Sequence, residues 1–190
     1  MKIIGITGPS GAGKTSLTKV LALYDAEIVD ADIAAREVVK PCMPALKEIE
    51  KEWPSVVENG ILNRRGLAKI VFNDEKQLHK LNTITHKYII DEINKRIKDS
   101  KARIFVIDAI ALFESGLADL CDTTIAVLAD KKIRIARIMK RDNLTKCEAE
   151  SRINAQQSDD FYTENADFTI YNNGDEGEIK EKVGRIIKGS

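Results

Sequence analysis

Hydrophobic positions along this chain follow two spacings. Continuous short apolar runs occupy residues 2–7, 27–29, 103–107, 123–128 and 168–171. Runs of that length suit strands buried on both faces, as in parallel sheets. Between them the spacing turns helical. Leu17, Val20 and Leu21 predict a helix over 14–23, and charged helical patterns cover 130 to about 140 and 178–188. From 33 to about 100 helical spacing dominates, interrupted by Pro41, Pro44, Pro54 and a turn at Glu58-Asn59-Gly60. Leu78, Leu81 and Ile84 mark one face there, and Ile89, Ile90, Ile93 and Ile97 another. Thr83-Ile84-Thr85 is expected to break the two. The alternation predicts an α/β, three-layer fold: a five-stranded parallel sheet with helices on both faces. One domain, 1–190, is expected, with a core of 1–40 and 101–190 and a helical insertion over about 41–100 that is expected to cover the site.

The first strand-to-helix turn carries chemistry. Gly8-Pro9-Ser10-Gly11-Ala12-Gly13-Lys14-Thr15 fits G-x-x-x-x-G-K-[ST] in full. In such a loop Gly11, Ala12 and Gly13 turn backbone N–H groups toward phosphates, and the helix N-terminus adds positive potential. Lys14 would reach the β- and γ-phosphates of a nucleotide, and the Thr15 hydroxyl would ligate Mg²⁺. The strand ending in Asp108 offers a second carboxylate, either for that Mg²⁺ or as a cap for the next turn. Asp32, just past the second strand, is placed to accept or orient a hydroxyl proton, or else to cap the helix that follows. Asp30 could cap while Asp32 works. Arg137, Arg141 and Arg152 flank a polar stretch that reads as a lid, about 141–150, able to cover a triphosphate.

Composition narrows the field. Apolar residues make up 43% and charged residues 32% of 190, which suits a globular domain with a real core. Lys plus Arg equal Asp plus Glu at 30 each, so a nucleic-acid partner lacks its simplest support. No apolar run approaches the roughly 20 residues of a membrane span. The opening residues, with Gly, Pro and Ser following so soon, do not read as a signal peptide. Cys42, Cys121 and Cys147 are far apart and read as reduced thiols of a cytoplasmic protein. His79 and His86 lie seven apart, a poor spacing for a zinc pair.

A GTPase switch needs an N-K-x-D reader, and Asn94-Lys95-Arg96-Ile97 lacks the final Asp. A small chain with an inserted helical block fits a small-molecule kinase. Asp30-Ala31-Asp32-Ile33-Ala34-Ala35-Arg36 resembles the D-A-D-x-x-A-R stretch of dephospho-coenzyme A kinases. The similarity continues through Leu62 to Leu67 (L-x-R-R-x-L), Thr85-His86, Asp108 to Glu114, Arg141-Asp142, Arg152 to Gln156, Ala166-Asp167 and Asn172-Asn173-Gly174. The resemblance implies transfer of the ATP γ-phosphate to the ribose 3′-hydroxyl of dephospho-coenzyme A. It implies Asp32 as base, with Lys14 and with Arg141 as a lid arginine on the phosphates. On its account ATP is held by Gly11 to Ser16, Arg141, and Asn173 and Gly174 near the adenine. The acceptor side would comprise Asp32, Arg36, Arg65, His86, Leu112, Phe113 and Glu114. Three departures stand out: Lys87 replaces a proline, Ile110-Ala111 replace a Pro-Leu pair, and Pro9-Ser10 are spelled as in nucleoside or guanylate kinases. They bear on the acceptor pocket. A nucleoside or nucleoside monophosphate kinase is the alternative, and a nucleotide-binding protein without transfer a third reading.

Overall fold

The computed structural model describes residues 1–174 and 176–188, which fall into two compact units. The first joins Met1–Val29 to Lys101–Ser190, and the second is Asp30–Ser100. The strands are β1 (Lys2–Thr7), β2 (Glu27–Asp30), β3 (Val57–Glu58), β4 (Ile61–Leu62), β5 (Ile104–Asp108), β6 (Thr123–Leu128) and β7 (Phe168–Tyr171). The helices are α1 (Lys14–Ala22), α2 (Ala31–Glu37), α3 (Pro44–Glu52), α4 (Arg64–Val71), α5 (Glu75–Asp99), α6 (Lys131–Asp142), α7 (Lys146–Asn154), α8 (Asp159–Asn165) and α9 (Glu176–Lys188).

The first unit is built on the expected five-stranded parallel sheet, in the order β2-β5-β1-β6-β7. β1 is central, pairing Ile4 with Val106 of β5 and with Thr123 of β6. Alternation along β1 sends Ile4 and Ile6 to one face, where they pack with Leu17, Val20 and Leu21 of α1 and with Ile179 and Val183 of α9. On the other face, Ala126 and Leu128 of β6 pack against Tyr162 of α8. All six residues of β6 are buried, which is why its sequence is unbroken apolar or threonine. Gly5 is required by packing: a Cβ there would lie 2.8 Å from both Leu112 Cδ2 and Cys121 Sγ. Asp167 fixes the edge strand, its Oδ2 accepting from Thr124 N at 2.7 Å and from Thr124 Oγ1 at 2.8 Å. α6 and α7 form a hairpin closed by Ile138, Ala149 and Ile153. α7 starts with a reciprocal cap between Thr145 and Glu148.

The second unit is helical, with α5 as its spine against α2, α3 and α4. Asn59 and Gly60, at φ 52° and 73°, turn the two-residue strands β3 and β4 into a hairpin. The expected break at Thr83-Ile84-Thr85 is corrected here: α5 runs unbroken through 25 residues. β-branched threonines favour helix weakly, but their hydroxyls have partners inside it. Thr83 Oγ1 donates to His79 O at 3.0 Å and Thr85 Oγ1 to Leu81 O at 2.9 Å. Asp74 supplies the N-terminal cap, accepting from Lys76 N and Gln77 N. α5 is tied to its neighbours by Trp53 Nε1 to Gln77 Oε1 at 2.9 Å, by Arg96 to Glu37, and by Glu48 of α3 to both Lys87 and Tyr88.

Candidate active site

Residues 8–13 lie between the carboxyl end of β1 and the N-terminus of α1, in the first unit. Gly8 and Gly13 show why the loop needs glycine. Gly8 sits at φ 140°, where a Cβ would be 2.1 Å from Val127 O of β6. Gly13 caps α1 at φ 91°, and a Cβ would meet Asn172 Nδ2 at 2.1 Å. A side chain at either place would strain the backbone and collide with neighbouring atoms.

Every carbonyl from Gly8 to Gly13 has a donor. Lys14 Nζ donates to Gly8 O at 3.1 Å, and Ala12 N to Pro9 O at 3.2 Å. Arg134 Nε takes Ser10 O at 3.2 Å, and Arg137 NH1 takes Gly11 O and Ala12 O, each at 3.2 Å. Gly13 O accepts from Asn172 Nδ2 at 3.2 Å and from Ser16 N at 2.9 Å. Carbonyls committed to donors of the protein leave the loop's remaining hydrogen-bonding capacity to N–H groups, which suits an anion. Arg134 is 4% exposed; burial pushes its guanidinium pKa below the ordinary value, with Asp159 acting the other way.

Sequence reasoning singled out the loop but not the residues that brace it. Arg137, expected to flank a lid over the triphosphate, instead commits its guanidinium to the loop carbonyls and to Asn172, and the partners of both Arg134 and Arg137 in the loop are more than a hundred positions away. Asn172, 3% exposed, reaches the loop, whereas its neighbour Asn173 accepts from Asp130 N through Oδ1 at 3.0 Å and donates from Nδ2 to Asp130 Oδ1 at 3.1 Å. The N-N-G signal marked the segment without separating the two. Gly174 is exposed at φ 127°.

Thr15 is the second residue of α1 and is exposed. Asp108 ends β5, in register with Ile6 of β1. A hydroxyl and a carboxylate are hard oxygen donors and fit Mg²⁺, which keeps the rest of its shell as water and nucleotide phosphate. Arg141, in the last turn of α6, holds Asp142 in a fork with both contacts at 2.8 Å, and Arg152 of α7 joins the same carboxylate. The Arg141 hydrogen bonds, with Arg152 assisting, lower the Asp142 carboxyl to about 2. The stretch expected as a polar loop is therefore mostly helix, turning at Asn143 with φ 52°.

The acceptor candidates are distributed over both units. Leu112 is fully buried beneath Gly5, Phe113 packs edge-on against Phe161 at 6.0 Å, and Glu114 is exposed. In the helical unit Asp32 and Arg36 lie on α2, Arg65 on α4 and His86 on α5. Asp30 provides the α2 cap, its Oδ1 accepting from Asp32 N at 2.8 Å and Ile33 N at 3.2 Å. The Asp32 side chain is thus not the one closing that helix, and it is exposed.

Parallel sheet, glycine loop and the Lys14-Thr15 start of α1 define a P-loop fold of the kinase class. The sequence profile of the dephospho-CoA kinases matches residues 2–178. A dephospho-CoA kinase of Listeria monocytogenes is 37% identical over 193 residues, covering 98% of this chain and 96% of that protein. One from Moorella thermoacetica is 40% identical over 181 residues, covering 92% and 85%. A crystal structure of a Thermus thermophilus protein superposes with a TM-score of 0.85 at 26% identity, covering 99% of this chain and 97% of that one. This chain belongs to the dephospho-CoA kinase family.

Proposed function

We propose that the chain transfers the γ-phosphoryl group of ATP to the ribose 3′-hydroxyl of dephospho-coenzyme A, giving coenzyme A. The observation that carries this reading is a phosphate loop with all six carbonyls committed, in a chain matching the family over residues 2–178. Loop N–H groups and Lys14 hold the phosphates, so that positive potential is fixed before charge shifts in the transfer. Asp32 takes or orients the proton of the attacking hydroxyl. Arg141 leaves Asp142 and covers the transferring group. Thr15 and Asp108 would hold Mg²⁺, which supplies charge neutralisation across the phosphates when bound. Arg36, Arg65 and His86 of the helical unit, and Leu112, Phe113 and Glu114 of the sheet unit, are assigned to the acceptor. Among the described residues no helix is long and apolar enough to cross a membrane, and the reaction is read as cytoplasmic.

The Pro9-Ser10 spelling does not carry the nucleoside-kinase alternative. Ser10 is engaged by Arg134 and Gln156, a role in holding the loop, not in choosing an acceptor. The test is ADP release from Mg-ATP with dephospho-coenzyme A, nucleosides and nucleoside monophosphates offered separately. Selective turnover with dephospho-coenzyme A is expected. Turnover only with a nucleoside or nucleotide would overturn the acceptor, and ATP binding without any turnover would overturn the transfer.

A further inference from the structure

Ser10 is held on every polar atom it has. Its N donates to Gln156 Oε1 at 3.0 Å, its Oγ accepts from Gln156 Nε2 at 3.2 Å, and its O accepts from Arg134 Nε at 3.2 Å. Arg134 lies in the first turns of α6 and Gln156 just beyond α7, so the open end of the α6–α7 hairpin grips one loop residue. The tip of the same hairpin carries Arg141. Arg134 is costly to keep. It is 4% exposed, NH1 pairs with Asp159 Oδ1 at 3.0 Å, and NH2 has no hydrogen-bond partner among the described residues. A buried, incompletely satisfied cation is commonly neutral or destabilising relative to an apolar side chain, so fold stability alone does not account for it.

We infer that Arg134, with Gln156, is a positioning residue for the phosphate loop: it holds the Ser10 carbonyl outward and sets the loop for ATP before the nucleotide arrives. The inference rests on the reading that this loop takes the ATP phosphates, and concerns ATP affinity, not the acceptor. Arg134 acts through Ser10 and places its charge beside the loop, whereas Gln156 acts by geometry alone.

The experiment is Mg-ATP binding without acceptor, by titration calorimetry, on the full chain and on Arg134→Met, Arg134→Lys and Gln156→Met, with urea unfolding of each. Loss of a charge-assisted hydrogen bond predicts that Arg134→Met raises the ATP Kd about tenfold or more. Its urea midpoint should be unchanged or higher, a combination a purely structural role would not give. In turnover assays the KM for ATP should rise while kcat and the acceptor KM hold. Arg134→Lys, which keeps the charge and loses the fork, should fall between. Combining Arg134→Lys with Gln156→Met should give a non-additive change in ATP affinity, because both act on Ser10. An ATP Kd unchanged in Arg134→Met overturns the inference; so does additivity in the cycle, which remains measurable if Arg134→Met does not fold. A wild-type chain that binds ATP but does not phosphorylate dephospho-coenzyme A would sink the proposed function and leave this inference standing.

Discussion

At the scale of single residues, two carboxylates at the start of α2 are set apart by their partners. Asp30 closes the helix, accepting from two backbone N–H groups, and Asp32 is assigned the acceptor hydroxyl. Work done in the transition state shows in turnover and not in ground-state binding. Asp32→Asn is therefore expected to lower kcat by about 10²-fold or more while the ATP Kd stays put. Near-normal turnover in that variant would remove Asp32 from the mechanism. Asp142 gives a second residue-level expectation. Its carboxyl is lowered from an ordinary 3.8 to about 2 by the Arg141 hydrogen bonds first and Arg152 after. A depressed carboxyl contributes stability that is complete above its unfolded value and disappears as pH falls through the folded one. The Arg141–Asp142–Arg152 cluster should thus persist at pH 5 and dissolve between about pH 4 and 2. A carbon-detected NMR titration of Asp142 with a midpoint near 3.8 would show that the arginines do not hold it in solution.

At the scale of elements, α5 is where local preference and structure part. Paired threonines beside an isoleucine read as a break because β-branched side chains crowd a helix. Back-bonding of Thr83 and Thr85 to carbonyls one turn earlier, with Asp74 capping the start, keeps the helix whole. Lys87 is the permissive residue, since a proline there would lack an N–H and press on the carbonyl of Thr83. Lys87→Pro should cost about 3 kcal/mol in urea unfolding. Lys87→Ala, which loses an exposed ion pair with Glu48 and the placement of Nζ 4.8 Å over the Tyr88 ring, should cost about 1 kcal/mol. Equal losses in the two variants would mean that α5 does not run through this turn in solution. Elsewhere the chain was easier to read. Thr123–Leu128 and Phe168–Tyr171 are delimited by their apolar runs, and the glycine loop by its spelling. What stayed hidden is the bracing of that loop by Arg134, Arg137 and Asn172. Residues 124 to 159 positions from their partners leave no periodic trace, and a buried arginine is spelled like an exposed one.

At the scale of the whole molecule, the phosphate loop and its bracing lie within one unit, while the residues proposed for the acceptor are shared between the two. All the donors that fix the phosphate loop belong to the unit made of Met1–Val29 and Lys101–Ser190. Asp32, Arg36, Arg65 and His86 belong to Asp30–Ser100. If the units are energetically separable, damage to the helical one should reach acceptor handling and spare the nucleotide. Ile49 of α3, fully buried, is a suitable place to apply it. Ile49→Ala removes buried methyl groups and leaves a cavity, at a cost of about 2–5 kcal/mol. Local opening draws on the stability of the unit that contains the change. Hydrogen exchange should therefore quicken across α3 and α5 while β1, β5 and β6 keep their protection. ATP affinity should be unaltered, and the KM for the acceptor should rise. Faster exchange throughout both units, with ATP affinity lost in step, would show instead that the chain opens as one cooperative body and that the nucleotide site depends on the helical unit.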